Sequence, residues 1–184
     1  MKNILDISTR QEFRDWLSKN SKIEVECYIS CIREKPTGDN FTYLDAVEEA
    51  LCFGWIDSIF KKVGDKYLQR FSPRNKNSPW SELNKERVRR LIKIGLMTKE
   101  GRKVLPSMRY KEDIDVIEAL KKARVYSKFK KFPPLYQRVR IYNISFFKDK
   151  DVNKYNSSLA HLIDSTKKGE MFGNWNDYGR LLDY

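Results

Sequence analysis

The sequence predicts an α+β fold: a small antiparallel sheet with a β-hairpin, packed by helices and followed by a C-terminal helical bundle. Three observations predict it. From Ile23 to Ile32 apolar and polar residues alternate, the pattern of a half-buried strand. Ile56 to Lys62 and Tyr67 to Phe71 are rich in aromatic and β-branched residues and flank Gly64-Asp65, a Gly-X pair that suits a two-residue type II′ turn. From Tyr110 onward apolar residues recur at helical spacing. Three regions follow. Residues 1–109 form an α+β domain with the hairpin and a basic helix, 110–169 a helical subdomain, and 170–184 an aromatic tail.

Each element has a local cause. Thr9-x-x-Glu12 fits a capping box, and Phe13, Trp16 and Leu17 give the helix over 8–19 one buried face. In the strand, Ile23, Val25, Cys27, Ile29 and Cys31 share one side, with Glu24, Glu26, Tyr28 and Ser30 on the other. Pro36, Gly38 and Asp39 mark a loop over 35–40. Thr42 caps a helix from Tyr43 to Cys52 that buries Leu44, Val47 and Leu51 and leaves Glu48 and Glu49 near its exposed side. Ser78-Pro79 opens a short helical turn at Trp80, and Asn84 caps a basic helix over 85–94. Asp113 caps the first helix of the bundle, Tyr126, Phe129 and Phe132 form an aromatic stripe that reads as core, and Pro133-Pro134 interrupts it.

The hairpin carries the functional argument. A two-residue loop sets Val63 opposite Lys66, Ile59 opposite Arg70 and Asp57 opposite Ser72. One face then holds Ile56, Ser58, Phe60, Tyr67, Gln69 and Phe71, which reads as core. The other holds Trp55, Asp57, Ile59, Lys61, Leu68, Arg70, Ser72 and Arg74. Asp57 and Arg70 are diagonal neighbours on that second face. The plainer reading is an exposed ion pair worth ~0–1 kcal/mol. The sharper reading is a cleft of Trp55, Asp57, Arg70, Ser72, Arg74, Trp80 and Asn84, in which guanidiniums hold an anion and an indole stacks on a flat group.

Charge points the same way. Residues 1–52 carry 7 basic and 10 acidic side chains, 53–111 carry 16 and 5, and 112–184 carry 14 and 10. The excess of the +12 chain therefore sits in the centre, where it would attract phosphates, anionic lipid or an acidic protein, or simply aid solubility. No stretch reaches the ~20 apolar residues of a membrane span. Met1 to Asp6 meets an acid before any apolar run, so the sequence predicts no secretory leader and a cytoplasmic protein. Cys27 and Cys31 would lie ~13 Å apart along a strand, too far to pair. They read, with Cys52, as buried thiols of a reducing compartment. A single histidine, His161, gives no metal-ligand set, and no phosphate loop, GxSxG or CxxC pattern occurs, so no metal and no cofactor is expected.

Two long segments resemble a known family. Tyr43 to Ser58 (YLDAVEEALCFGWIDS), then Arg70-Phe71-Ser72-Pro73-Arg74 followed by Trp80-Ser81, Asn84-Lys85, Arg87-Val88 and Arg90-Leu91, are similar to the bacterial YdeI/OmpD-associated family, also called the bacteriocin-protection family. Phe132-Pro133-Pro134-x-Tyr136 resembles that family's C-terminal helical segment, and the likeness covers roughly residues 5–169. The chain departs from the pattern at the basic Lys128-Phe129-Lys130-Lys131 and after Gly169. The resemblance implies a link to stress or bacteriocin tolerance and no defined reaction.

Three functions follow as expectations. The first is a binding protein with the anion/planar-ligand cleft. The second is a nucleic-acid-binding protein using the basic 53–111 surface. The third is an enzyme centred on Asp57 and Arg70. The oligomeric state is not readable from the sequence.

Overall fold

The computed structural model describes residues 3–38 and 40–184. Met1 and Lys2, where the reading of the N-terminus begins, and Asp39 of the expected loop lie outside the described residues. The chain forms two units: residues 1–79, 87–107 and 184 in the first, and 80–86 and 108–183 in the second.

The first unit begins with strand β1 (Ile4–Leu5) and helix α1 (Arg10–Asn20). Thr9 and Glu12 close the capping box, and Phe13 and Leu17 are fully buried. Strand β2 is only Cys27–Ile29. The longer alternating strand expected over 23–32 is not formed, because the amides of Ile23 and Glu24 both bond back to the Asn20 carbonyl. That turn leaves Ile23 and Val25 exposed. Helix α2 (Tyr43–Cys52) follows, capped by Thr42 in a second capping box with Asp45. Gly54, at φ +77°, releases the chain from α2 into strand β3 (Trp55–Val63). Strand β4 (Lys66–Pro73) returns.

The sheet order is β1-β2-β4-β3. The α+β class holds, but the sheet is mixed rather than wholly antiparallel. Its pairs are antiparallel except for β1, which runs parallel to β2 with Ile4 opposite Tyr28. Two residues carry no periodicity from which that strand could be read.

Helix α2 has no exposed side. Every residue from Leu44 to Cys52 is buried, Glu48 and Glu49 included. The expectation that these two acids face solvent is therefore overturned. Arginines take the place of water. Arg10 donates to Glu48 at 2.7 Å and Glu49 at 2.5 Å, and Arg14 donates to Glu49 at 2.7 Å. Helix α3 (Glu82–Lys93), whose residues from Arg87 on belong to this unit, supplies Arg90, which donates to the other Glu48 oxygen at 2.9 Å. Helix α4 (Lys99–Lys103) completes the unit. Thr98 caps it and donates its hydroxyl to the Cys52 carbonyl at 2.5 Å. A Cβ on Gly101 would lie 2.2 Å from that same carbonyl oxygen, so α4 approaches α2 backbone to backbone.

The second unit is helical: α5 (Ile114–Lys122), α6 (Tyr126–Phe129), α7 (Pro134–Ser145) and α8 (Val152–Lys168), with a 3-10 turn at Asp177–Gly179. Asp113 caps α5 and Gly169 ends α8 at φ +79°. The core contains Val116, Leu120, Phe129, Tyr136, Val139 and Leu162. Trp175 and Leu181 of the tail join it, with Trp175 edge-on to Tyr136 at 5.7 Å. The first turn of α3 also belongs here. Its start is at Glu82, not 85, and Ser81 Oγ accepts from the Asn84 amide at 3.1 Å. Ser81 therefore does the capping expected of Asn84. Among the described residues no helix is long and apolar enough to cross a membrane.

Two stability tests follow. Glu48→Ala leaves Arg10 and Arg90 short of an anion in a buried setting and should cost about 3 kcal/mol in urea unfolding. Gly101→Ala forces α4 away from the Cys52 carbonyl and should cost ~1–3 kcal/mol, with Gly95→Ala, which has open space around it, as the comparison for a strained φ alone.

Candidate functional site

The hairpin turn forms as its residues dictate. Gly64 sits at φ +60° and Val63 pairs with Lys66. The ladder then runs in the expected register as far as Phe60 opposite Gln69. A β-bulge follows between Asp57 and Phe60, and beyond it Asp57 pairs with Phe71, not with Ser72. A shift of one residue turns a side chain to the opposite face.

That shift separates the expected Asp57–Arg70 pair. Asp57 lies on the helix-covered face, opposite Phe71, and accepts a hydrogen bond from the Tyr43 hydroxyl at 2.6 Å. Arg70 lies opposite Tyr28 on the other face. Its Nε donates to Glu26 at 2.7 Å and its Nη1 to Ser58 at 3.1 Å. The hydrogen bond from Arg70 holds the Glu26 carboxyl below its ordinary range. Burial, then the neighbouring Asp57, raises the Tyr43 hydroxyl's pKa. An acid–base centre of Asp57 and Arg70 therefore has no geometric basis.

The remaining residues expected in the cleft have these places. Trp55 is 1% exposed, edge-on to Trp16 at 5.8 Å, and donates its indole N–H to the Ser21 carbonyl. It is core and offers no face for stacking. Arg74 is buried and donates to the Pro79 carbonyl at 3.0 Å. Ser72 lies opposite Ile56 at the hairpin's open end. Trp80 and Asn84 belong to the second unit, while Trp55, Asp57, Arg70, Ser72 and Arg74 belong to the first.

The bulge builds a different arrangement. Gln69 is buried, and its amide N–H groups donate to the carbonyls of Ile59 at 3.3 Å and Arg70 at 3.2 Å. One of these carbonyls lies within the bulge, so the side chain closes the gap left in the ladder. Gln69 Oε1 accepts from Arg33 at 2.5 Å. The Arg33 guanidinium is thereby held between two rings, 4.2 Å from the Tyr43 centroid and 4.0 Å from that of Phe60. Phe60 in turn stacks on Tyr67 with centroids 5.4 Å apart and planes 19° from parallel. Tyr43, Arg33, Phe60 and Tyr67 form a continuous stack.

The stack ends at the solvent on Tyr67, and the edge of Phe60, whose two faces are taken by Arg33 and Tyr67, is exposed beside it. Phe60 is 42% and Tyr67 54% exposed, which overturns their expected place in the core. Lys62, paired with Tyr67, is exposed on the same face, while Lys61 and Lys66 are exposed on the hairpin's other face, Lys61 5.6 Å from the Tyr28 ring. The arrangement can offer a ring face to a flat group and cations to an anion. Sequence reasoning missed Arg33 because it lies in a loop with no pattern. Phe60 and Tyr67 were visible as an aromatic pair but were assigned to the wrong environment.

Elsewhere in the unit, a groove of about 350 Å³ is lined by residues that include Arg14, Lys22, Phe53 and Glu100. Its charges are already used: Lys22 pairs with Glu100, and Arg14 with Glu49 and the Leu96 carbonyl. Among the described residues no cluster of His, Cys, Asp and Glu could hold a metal ion.

The cysteines are poor nucleophiles. Burial pushes the thiols of Cys27 and Cys52 up to about 12 and that of Cys31 up to about 11. At neutral pH they are protonated, and the thiolate fraction at Cys31 should be more than ~100-fold below that of an ordinary thiol near pKa 8.5. Iodoacetamide should therefore label the native protein slowly, Cys31 first because it alone is partly exposed, and label all three rapidly in urea. Fast native labelling of Cys52 would contradict this picture.

No curated protein and no solved structure matches the chain. A family model described as a domain of unknown function (DUF8412) matches residues 5–104. The matched segment holds the four strands that complete the sheet, apart from Ile4, and all four members of the Tyr43–Arg33–Phe60–Tyr67 stack. With more than half of its 184 residues inside that match, the chain belongs to the DUF8412 family.

Proposed function

We propose that the protein is a binding protein for anionic ligands that carry a flat ring, that nucleotides in a single strand are the class it takes, and that the hairpin is the contact surface. The observation that carries this reading is the stack that ends on the exposed ring of Tyr67, with Lys62 beside it on the same face and Lys61 and Lys66 on the other face of the same hairpin. Base–aromatic stacking is worth ~1–3 kcal/mol per base and tolerates any base. The lysines and Arg33 supply the cations that follow a phosphate backbone. Gln69 and the bulge hold Arg33 in place before a ligand arrives, which lowers the entropy lost on binding.

This reading keeps the anion and the ring expected of the ligand and moves the site from the hairpin's open end to its distal half. It also draws on the charge excess between residues 53 and 111. The resemblance to the YdeI/OmpD-associated family would give such binding a setting in stress or bacteriocin tolerance, and that setting rests on the resemblance alone.

Fluorescence anisotropy with a labelled single-stranded oligothymidylate tests the reading. Tyr67→Ala should weaken binding by about 5- to 100-fold, the range of one lost stacking partner, and Phe60→Ala, which removes the ring that backs Tyr67, should weaken it by more than twofold. The logarithm of the binding constant should fall by ~0.7 per phosphate contact with the logarithm of salt. Binding by both variants within twofold of the parent would overturn it.

A further inference from the structure

The second unit contains a pocket that the hairpin reading does not use and that lies outside the DUF8412 segment. It has a volume of about 130 Å³ and lies among α7, α8 and Phe172 of the tail. Three apolar side chains, Ile144, Phe147 and Phe172, form its walls. Arg140, Asn143, Ser158 and His161 are its polar lining.

Arg140 is the informative residue. Its guanidinium lies 4.6 Å from the Phe172 ring centroid and 5.4 Å from that of Tyr136. These aromatic faces are its neighbours; among the described residues it makes no ion pair, and its buried Nε has no hydrogen-bond partner. Burial lowers its pKa, and only the Tyr136 hydroxyl works against that. Arg10, Arg14, Arg90 and Arg138, by contrast, each reach a carboxylate. A partly buried cation without an anion is costly, and an incoming carboxylate would remove that cost.

The walls select the body of the ligand. The backbone at Gly173 lies close against the guanidinium, where a Cβ would come within 2.9 Å of Arg140 Nη2, so the absence of a side chain there is what lets Arg140 reach its place. His161 packs on Phe172 with centroids 4.2 Å apart, so one side of the pocket is a pair of rings. A single guanidinium matches a carboxylate through two parallel hydrogen bonds, whereas a phosphate dianion calls for more than one cation. Asn143 and Ser158 can hydrogen-bond a carboxylate oxygen from the pocket's rim.

We propose that this pocket is a binding site for a small monocarboxylate with an aromatic body, its carboxylate on Arg140 and its ring among Phe147, Phe172 and Ile144. The proposal is independent of the hairpin reading.

Isothermal titration of the full chain with benzoate tests it, with benzyl alcohol as the uncharged counterpart. Benzoate should bind the parent protein at millimolar concentration. Benzyl alcohol should bind at least about tenfold more weakly, and Arg140→Met should lose benzoate binding about 10- to 100-fold, as for a lost charge-assisted pair. The Phe60→Ala/Tyr67→Ala protein should keep it. No benzoate binding by the parent, equal binding of benzyl alcohol, or equal binding by Arg140→Met would each overturn the proposal. Should Arg140→Met prove unfolded by circular dichroism, amide shifts in the parent decide. Benzoate must move resonances of α7, α8 and residues 172–173, and shifts confined elsewhere overturn the site.

Discussion

Helix α2 is buried all round and carries three acids, so the first unit exists only in a form that gives those acids cations. Arg10 is the central partner: burial alone would lower its pKa, yet Glu48 and Glu49 raise it above the ordinary value. Arg14 from α1 and Arg90 from α3 complete the set. Removing such charges from water is expensive, and pairing repays that only when the geometry is well met. Here every oxygen of Glu48 and Glu49 meets a guanidinium nitrogen, with Arg10 serving one oxygen of each acid. The arrangement fixes the rotation and height of α1 and the later part of α3 against α2 in a way that apolar contacts, being non-directional, do not.

The sheet depends on a second local constraint. A ladder that lost register would normally expose polar backbone or slip. Gln69 prevents both by donating to carbonyls on β3 and β4 from a buried position. The cost of burying an amide is offset by its three hydrogen bonds, counting the one it accepts from Arg33. The same residue thus stabilises the bulge and orients the cation of the stack. Structure and proposed binding surface are joined at one side chain.

In the second unit aromatic rings do most of the packing. Tyr136 has Phe132, Trp175 and Phe172 edge-on around it, with centroid distances between 5.2 and 6.1 Å. Edge-to-face contacts of this kind add ~0.5–1.5 kcal/mol each beyond the area they bury. They also draw the tail against α7, which brings Phe172 beside Arg140. Elsewhere in the unit Arg138 pairs with the buried Glu82 and with Glu86, so Arg140's lack of an acid is a local feature rather than a property of the helix.

Much of this was legible in the sequence because it is local. The Thr9 capping box, the Thr42 cap, the Gly64-Asp65 turn, the helices of the second unit and the α+β class follow from spacing and from residues that tolerate few backbone conformations. The aromatic pair Phe60 and Tyr67 was visible too, though not its exposure. What the tertiary structure alone decided depends on contacts between distant residues. The bulge arises where β3 must meet both Gly64 and α2, and no pattern in Asp57 to Phe60 announces it. It moves Asp57 from Arg70 to Tyr43 and brings Arg33, far away in the chain, onto Gln69. Glu48 and Glu49 read as surface because a carboxylate is costly to bury alone, and only the fold supplies Arg10, Arg14 and Arg90 from other helices. Period and propensity are properties of neighbours along the chain. Register and charge pairing are properties of neighbours in space.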